Sequence, residues 1–290
     1  MKNLIITSVI SLVFSFHSFG FQNVEQVEIK TQKLSQQVYL LQGAGGNIGI
    51  LTGPDGVFMI DDQFAALSEK IVTAINQLSD QPVRYLVNTH HHGDHTGGNK
   101  NFDEQGALIL AHENVRERLK EKATDSTAGV PVITFNDQLN LHVNGNDVMV
   151  LHVHNAHTDG DALVYLPQSN VLHTGDTFFN GMFPYIDLSS GGSVDGDIEA
   201  AEKGLSIINE KTKIIPGHGN LASHQDYSDY LLMLKSIRKN VKKKIDEGAT
   251  EDEIARDESI TAMFYTDEVA SDFFIDGEKI RRTFYKSLKK

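Results

Sequence analysis

A chain of 290 residues that is 40% hydrophobic and 22% charged has the makeup of an ordinary globular protein, with material for one sizeable core or two sheets packed face to face. Its 39 acidic residues against 26 basic ones give a formal charge of −13, which excludes an enzyme that must hold nucleic-acid phosphates on a basic face. It has no cysteine, so thiolate metal ligands, disulfides and a thiol nucleophile are excluded too.

The amino end reads as a targeting segment. Met1-Lys2-Asn3 is a short positive start, Leu4 to Phe16 is apolar, and Ser18-Phe19-Gly20 offers small residues to a signal peptidase. A signal peptide over residues 1–20, cleaved after Gly20, leaves 21–290 as a single catalytic domain with C-terminal helices. The apolar run is short for a bilayer span, so no stable membrane insertion is expected after cleavage, and the protein is expected to be periplasmic or secreted. Cleavage removes only Lys2 among the charged residues, so the acidic excess persists.

Val57 to Ile60 forms an expected strand that ends at Asp61. Pro82 to Asn88, PVRYLVN, forms another, and it stops at Thr89-His90-His91-His92-Gly93-Asp94-His95-Thr96-Gly97-Gly98. Within six residues, His90, His92, Asp94 and His95 supply four metal ligands, a spacing of imidazole and carboxylate that suits zinc and lets two metals share one run. Gly97, Gly98 and Asn99 extend the loop, placing the ligands in a cleft at a sheet rim.

Three later stretches supply partners. The run VMVLHV leads to Asn155–Asp161 with His157, DALVYLPQSNVL leads to His173–Thr177 with Asp176, and TKIIP leads to Pro216-Gly217-His218-Gly219. Each is again expected at a strand end. Beyond them, Tyr227 to Glu247 carries a helical apolar stripe closed by Gly248, and Thr250-Glu251-Asp252-Glu253 is a capping-box signature. Lys235 to Lys244 reads as a solvated helix face.

In this order, H-x-H-x-D-H, a lone His, a G-D pair and a G-H, the chain resembles the metallo-β-lactamase superfamily, over about Val38 to Asp226. The resemblance implies a four-layer αββα sandwich of two mixed β-sheets flanked by helices. It implies one zinc ion on His90, His92 and His157, a second on Asp94, His95 and His218, and Asp176 as the bridge between two Zn2+ ions. Asp61 would orient a ligand from behind, with Asp62 as the neighbouring alternative. Without cysteine, the β-lactamase subclass that holds zinc by a thiolate is excluded, and a histidine at 92 departs from the glutamate of flavodiiron proteins.

The expected function is an exported zinc-dependent hydrolase that aims a metal-bound hydroxide at an ester, lactone, thioester or β-lactam carbonyl of a small-molecule substrate, with Asp94 and Asp176 in the catalytic centre. No G-x-S-x-G elbow offers a covalent route. The alternatives are a mononuclear iron oxygenase of the persulfide dioxygenase type and a non-catalytic binding protein on the same scaffold. His91, His112, His142, His152, His154, His173 and His224 are expected to be structural, Asp159 and Asp161 to brace the His157 loop, and Tyr185 to pack rather than to donate to an oxyanion.

Overall fold

The computed structural model of the protein describes residues 24–122 and 127–289; the expected signal peptide lies outside the described residues. Seven strands form the first sheet in chain order: β1 (Lys30–Lys33), β2 (Val38–Gln42), β3 (Ile48–Leu51), β4 (Val57–Ile60), β5 (Val83–Val87), β6 (Leu108–His112) and β7 (Ile133–Phe135). The second holds β8 (Gln138–Val143), β9 (Asn146–His152), β10 (Ala162–Leu166), β11 (Val171–His173) and β12 (Lys213–Ile215) in the order β12-β11-β10-β9-β8. Both sheets are mixed. β4, β5, β6 and β7 run parallel while β1 to β4 pair antiparallel, and β11 pairs parallel to β12 beside the antiparallel β8, β9 and β10.

Nine helices complete the chain: α1 (Ser68–Asn76), α2 (Gly93–Thr96), α3 (Asn99–Glu104), α4 (Glu113–Lys122), α5 (Val194–Ile207), α6 (His224–Asp246), α7 (Glu251–Arg256), α8 (Asp267–Ala270) and α9 (Gly277–Leu288), counted among the described residues. Among these residues no helix is long and apolar enough to cross a membrane.

The four layers follow from the period of two in the strands. In β10, Ala162, Val164 and Leu166 point into the space between the sheets, whereas Leu163 and Tyr165 point outward onto helices. β4 does the same: Phe58 and Ile60 face the second sheet, Val57 and Met59 face Ile71 and Ile75 of α1. Both faces are buried, so these strands read as unbroken apolar runs instead of alternating ones. On the other side Leu172 and Ile214 pack under Val194 and Ile198 of α5, Leu234 and Ile237 of α6, and Phe284 of α9. The result is the expected four-layer αββα sandwich.

Three local expectations differ. The second half of the histidine motif is not loop: Gly93–Thr96 makes a helical turn, and Asn99 begins α3. DALVYLPQSNVL is not one run but two antiparallel strands, because Pro167 to Asn170 turns the chain between β10 and β11. α6 begins at His224 rather than near Tyr227; a Ser223–Asp226 capping box starts it before the apolar stripe does.

Candidate metal centre

Five strand ends open onto one cleft. β4 delivers Asp61, β5 delivers the run from Asn88 to His95, β9 leads into the loop with His157, β11 delivers Asp176, and β12 delivers His218. Backbone bonds stitch these ends together: Asp61 N to Val87 O, Asp62 N to His95 O, Ala162 N to Thr89 O, Thr174 N to Ile215 O and Gly217 N to Gly175 O. Asp61 and Gln63 sit at φ +59° and +58°, a left-handed backbone that costs about 1–3 kcal/mol each and gathers at functional sites. Two glycines permit the approach. A Cβ on Gly46 would overlap the His95 ring, and one on Gly217 would overlap Asp176 Oδ1.

The seven residues expected as ligands all line this cleft, in two groups. Ligand atoms of His90, His92, His157 and Asp176 lie within 4.8 Å of one another, and so do those of Asp94, His95 and His218. Asp176 lies between them. Its Oδ2 is 3.7 Å from His90 Nε2 and 3.6 Å from His157 Nε2, while its Oδ1 is 3.0 Å from His95 Nε2 and 3.5 Å from His218 Nε2. Asp94 Oδ2 faces the second group, 3.2 Å from His218 Nε2 and 3.6 Å from His95 Nε2.

The outer nitrogens of these rings are already committed, which decides what the inner ones can do. His157 Nδ1–H donates to Tyr185 O at 2.6 Å, and His92 Nε2–H donates to Asp187 Oδ2 at 3.1 Å. His95 Nδ1–H donates to Asp61 Oδ2 at 2.8 Å, and Asp61 is itself held by Thr89 N and Thr89 Oγ1. A neutral ring has one proton, so His157 Nε2 and His92 Nδ1 meet at 2.9 Å with lone pairs facing. His90 Nε2 is buried without a hydrogen-bond partner. A cation between these atoms relieves both the repulsion and the orphaned His90 acceptor, so the residues suit a bound metal.

Electrostatics divides the cleft. Burial, joined by the neighbouring histidines, drives His90 well below the usual histidine range and brings His157 to about 4, so both stay neutral. Burial also opposes protonation of His95 and His218, but the Asp176 and Asp94 carboxylates outweigh it; His95 rises well above its ordinary value and His218 to about 9. Asp176, despite burial, falls well below the usual carboxylate range because His95, His218 and His90 surround it. One group offers bare lone pairs; the other holds protons that a metal displaces.

The remaining histidines are elsewhere or bound otherwise. His152 stacks on His112 with ring centres 3.8 Å apart, His173 Nε2 donates to Asn47 O, and His142 pairs with Asp147 at the surface. His154 is exposed beyond β9, and His224 opens α6. His91 is buried behind His92, with His91, His92 and Asp187 forming a further close group. Asp161 braces the His157 loop by accepting from Thr158 N and Oγ1, whereas Asp159 turns away to a bidentate pair with Arg118. Asp62 serves as a backbone anchor instead of a ring partner, accepting from Gly98 N. Tyr185 packs on His92 and His157 with its ring, 5.9 and 5.6 Å between centres.

Asp187 was not among the expected site residues. In the sequence it is an ordinary cap, and it does accept from Ser189 N and Ser190 N; only the fold brings its second oxygen to His92.

Residues 35–241 match the family model described as the metallo-beta-lactamase superfamily. The chain belongs to that superfamily. It is 29% identical over 185 residues to the hydroxyacylglutathione hydrolase of Pelagibacter ubique, covering 59% of this chain and 70% of that protein. It is 24% identical over 240 residues to metallo-beta-lactamase type 2 of Bacteroides fragilis, covering 76% and 90%. In fold it is similar to a metallo-beta-lactamase from Pontibacter korlensis, with TM-score 0.63, 21% identity and coverage of 72% and 99%. It is also similar in fold to a sec-alkylsulfatase from Pseudomonas sp., with TM-score 0.71 and 16% identity; the match covers 89% of this chain and 50% of the sulfatase. The relatives by sequence are metallo-hydrolases, and this chain is a hydrolase of the metallo-beta-lactamase superfamily with His and Asp groups able to bind metal.

Proposed function

We propose that the protein is an exported hydrolase with two zinc ions, one held by His90, His92 and His157, the other by Asp94, His95 and His218, with Asp176 reaching both. The observation that carries this reading is the 2.9 Å approach of His157 Nε2 to His92 Nδ1, two acceptors whose protons are committed on their far sides. When bound, a pair of divalent ions supplies a water acidified toward neutrality and an electrophilic rest for a carbonyl oxygen. The chain's own residues do the rest. Tyr185 O, Asp187 and Asp61 hold three imidazoles in one tautomer each, and the Asp176 carboxylate keeps the two ligand groups in register.

The cleft opens to solvent where His92, Asp94 and His218 are 20, 23 and 19% exposed, in contrast to the fully buried His90, His95 and His157; substrate enters there. We infer a small substrate with a hydrolysable ester, lactone, thioester or β-lactam carbonyl, in keeping with relatives named as a hydroxyacylglutathione hydrolase and a metallo-beta-lactamase. A complete second group of ligand types favours two ions over the single iron of an oxygenase.

The test is a panel of nitrocefin, aryl esters, lactones and thioesters with the zinc-loaded full chain, repeated after chelation, together with metal analysis. Two zinc ions per chain and turnover lost on chelation are expected; one iron with oxygen uptake and no hydrolysis would overturn the proposal. Export is tested by sequencing the amino end of protein recovered outside the cytoplasm, expected to start at Phe21.

A further inference from the structure

Phe274 is 56% exposed, although the segment that carries it is firmly anchored. Beside it in the chain, Phe273 inserts between Phe183 and Tyr265, with ring centres 6.0 and 5.1 Å away. Behind it Arg281, 1% exposed, donates to both oxygens of Asp267, to Thr261 Oγ1 and to Ala255 O, tying α7, α8 and α9 into one block. A large apolar ring left more than half exposed on a rigid mount forgoes much of the burial energy it could gain.

Its position accounts for that exposure. The Phe274 ring stands edge-on to Tyr185, 5.7 Å between centres, and the Tyr185 ring lies nearly parallel to His92, one of the three residues at the mouth of the cleft. Phe274 thus continues the wall of the mouth outward. It lies beyond residue 241, where the match to the superfamily ends, so this part of the wall comes from the chain's own C-terminal block.

We propose that Tyr185 and Phe274 form an apolar subsite for the acyl side of the substrate, so that the hydrolysed carbonyl carries an aryl or medium-length alkyl group rather than a small or charged one. The proposal rests on the hydrolase reading above in taking the ligand cleft as the place of reaction. Tyr185 presents the inner face next to His92, and Phe274 the outer face, which an acyl group of several carbons reaches and an acetyl group does not.

Two measurements on the zinc-loaded full chain test it, with Phe274→Ala, Tyr185→Leu and the surface control Val269→Ser, whose exposed valine lies on the same block. The first is the ratio of kcat/KM for 4-nitrophenyl hexanoate to that for the acetate. The second needs no turnover: the affinity of 4-phenylbutan-1-ol, titrated by NMR. Phe274→Ala is expected to lower the ratio about tenfold and to weaken the alcohol about fivefold, while Val269→Ser changes neither. A ratio and an affinity both unchanged in Phe274→Ala, with far-ultraviolet dichroism like the parent's, overturn the subsite. If no ester is hydrolysed but the alcohol binds and Phe274→Ala weakens it, the ester is ruled out as the substrate while the apolar subsite stands.

Discussion

Imidazole protons decide what the cleft can hold, and they are set by residues outside the ligand groups. Asp187 Oδ1 is occupied by Ser189 and Ser190, which leaves Oδ2 for His92 Nε2 and turns His92 Nδ1 inward. Asp187→Ala should therefore weaken zinc binding about 10- to 100-fold, read by competition with a chromogenic chelator, and an unchanged affinity would deny it the orienting role. Asp187→Asn, which keeps an acceptor, should recover part of the loss. At Gly217 the issue is space: an alanine methyl would run into Asp176 Oδ1, so Gly217→Ala should cost about 1–3 kcal/mol in urea denaturation. No motif marks Asp187, since a capping aspartate and a histidine partner look the same until the chain is folded. Asp61, by contrast, was expected, with Asp62 as the alternative, because the resemblance implies an orienting aspartate at the end of that apolar strand.

Secondary elements carry two further consequences. At the end of β9, His152 stacks on His112 of β6, and burial, followed by repulsion from His112, lowers His152 to about 4. The unfolded chain has the ordinary value near 6.5, so between about 6.5 and 4 it takes up a proton that the native state refuses. This contribution to stability is present above pH 6.5 and lost as the pH falls toward 4. Midpoints of urea unfolding of the apoprotein from pH 7 to pH 4 should fall, and His152→Phe should flatten that part of the profile. In the C-terminal block, Arg281→Ala removes a buried guanidinium and its bonds to Asp267, Thr261 and Ala255, and should destabilise by about 2–4 kcal/mol in thermal unfolding. The basic stretch from Lys235 to Lys244 is what its composition suggested: Lys235, Arg238, Lys242, Lys243 and Lys244 each face an acidic partner.

Across the molecule, metal and fold are coupled, because the cleft is assembled from the ends of β4, β5, β9, β11 and β12 and exists only when both sheets are packed. Zinc that binds the native chain alone should stabilise it by about 4 kcal/mol at a free concentration a thousandfold above Kd, and raise Tm accordingly. Calorimetric scans with zinc and with excess chelator check this; a Tm indifferent to zinc would mean that no such coupling exists.

The H-x-H-x-D-H run, the order of the later motifs and the apolar strands carry the resemblance to the superfamily, and that resemblance implied the layers and the seven side chains that line the cleft. Local chemistry speaks for these features: ligand types are costly to crowd by chance, and a strand buried on both faces must be apolar throughout. Distances between groups far apart in the chain are another matter. Packing of the two sheets brings His157 Nε2 to His92 Nδ1, turns the cap Asp187 into a partner for His92, and carries Phe274 from the far end of the chain to the mouth. Each of these contacts joins residues whose spacing in sequence is arbitrary, so only the folded core decides them.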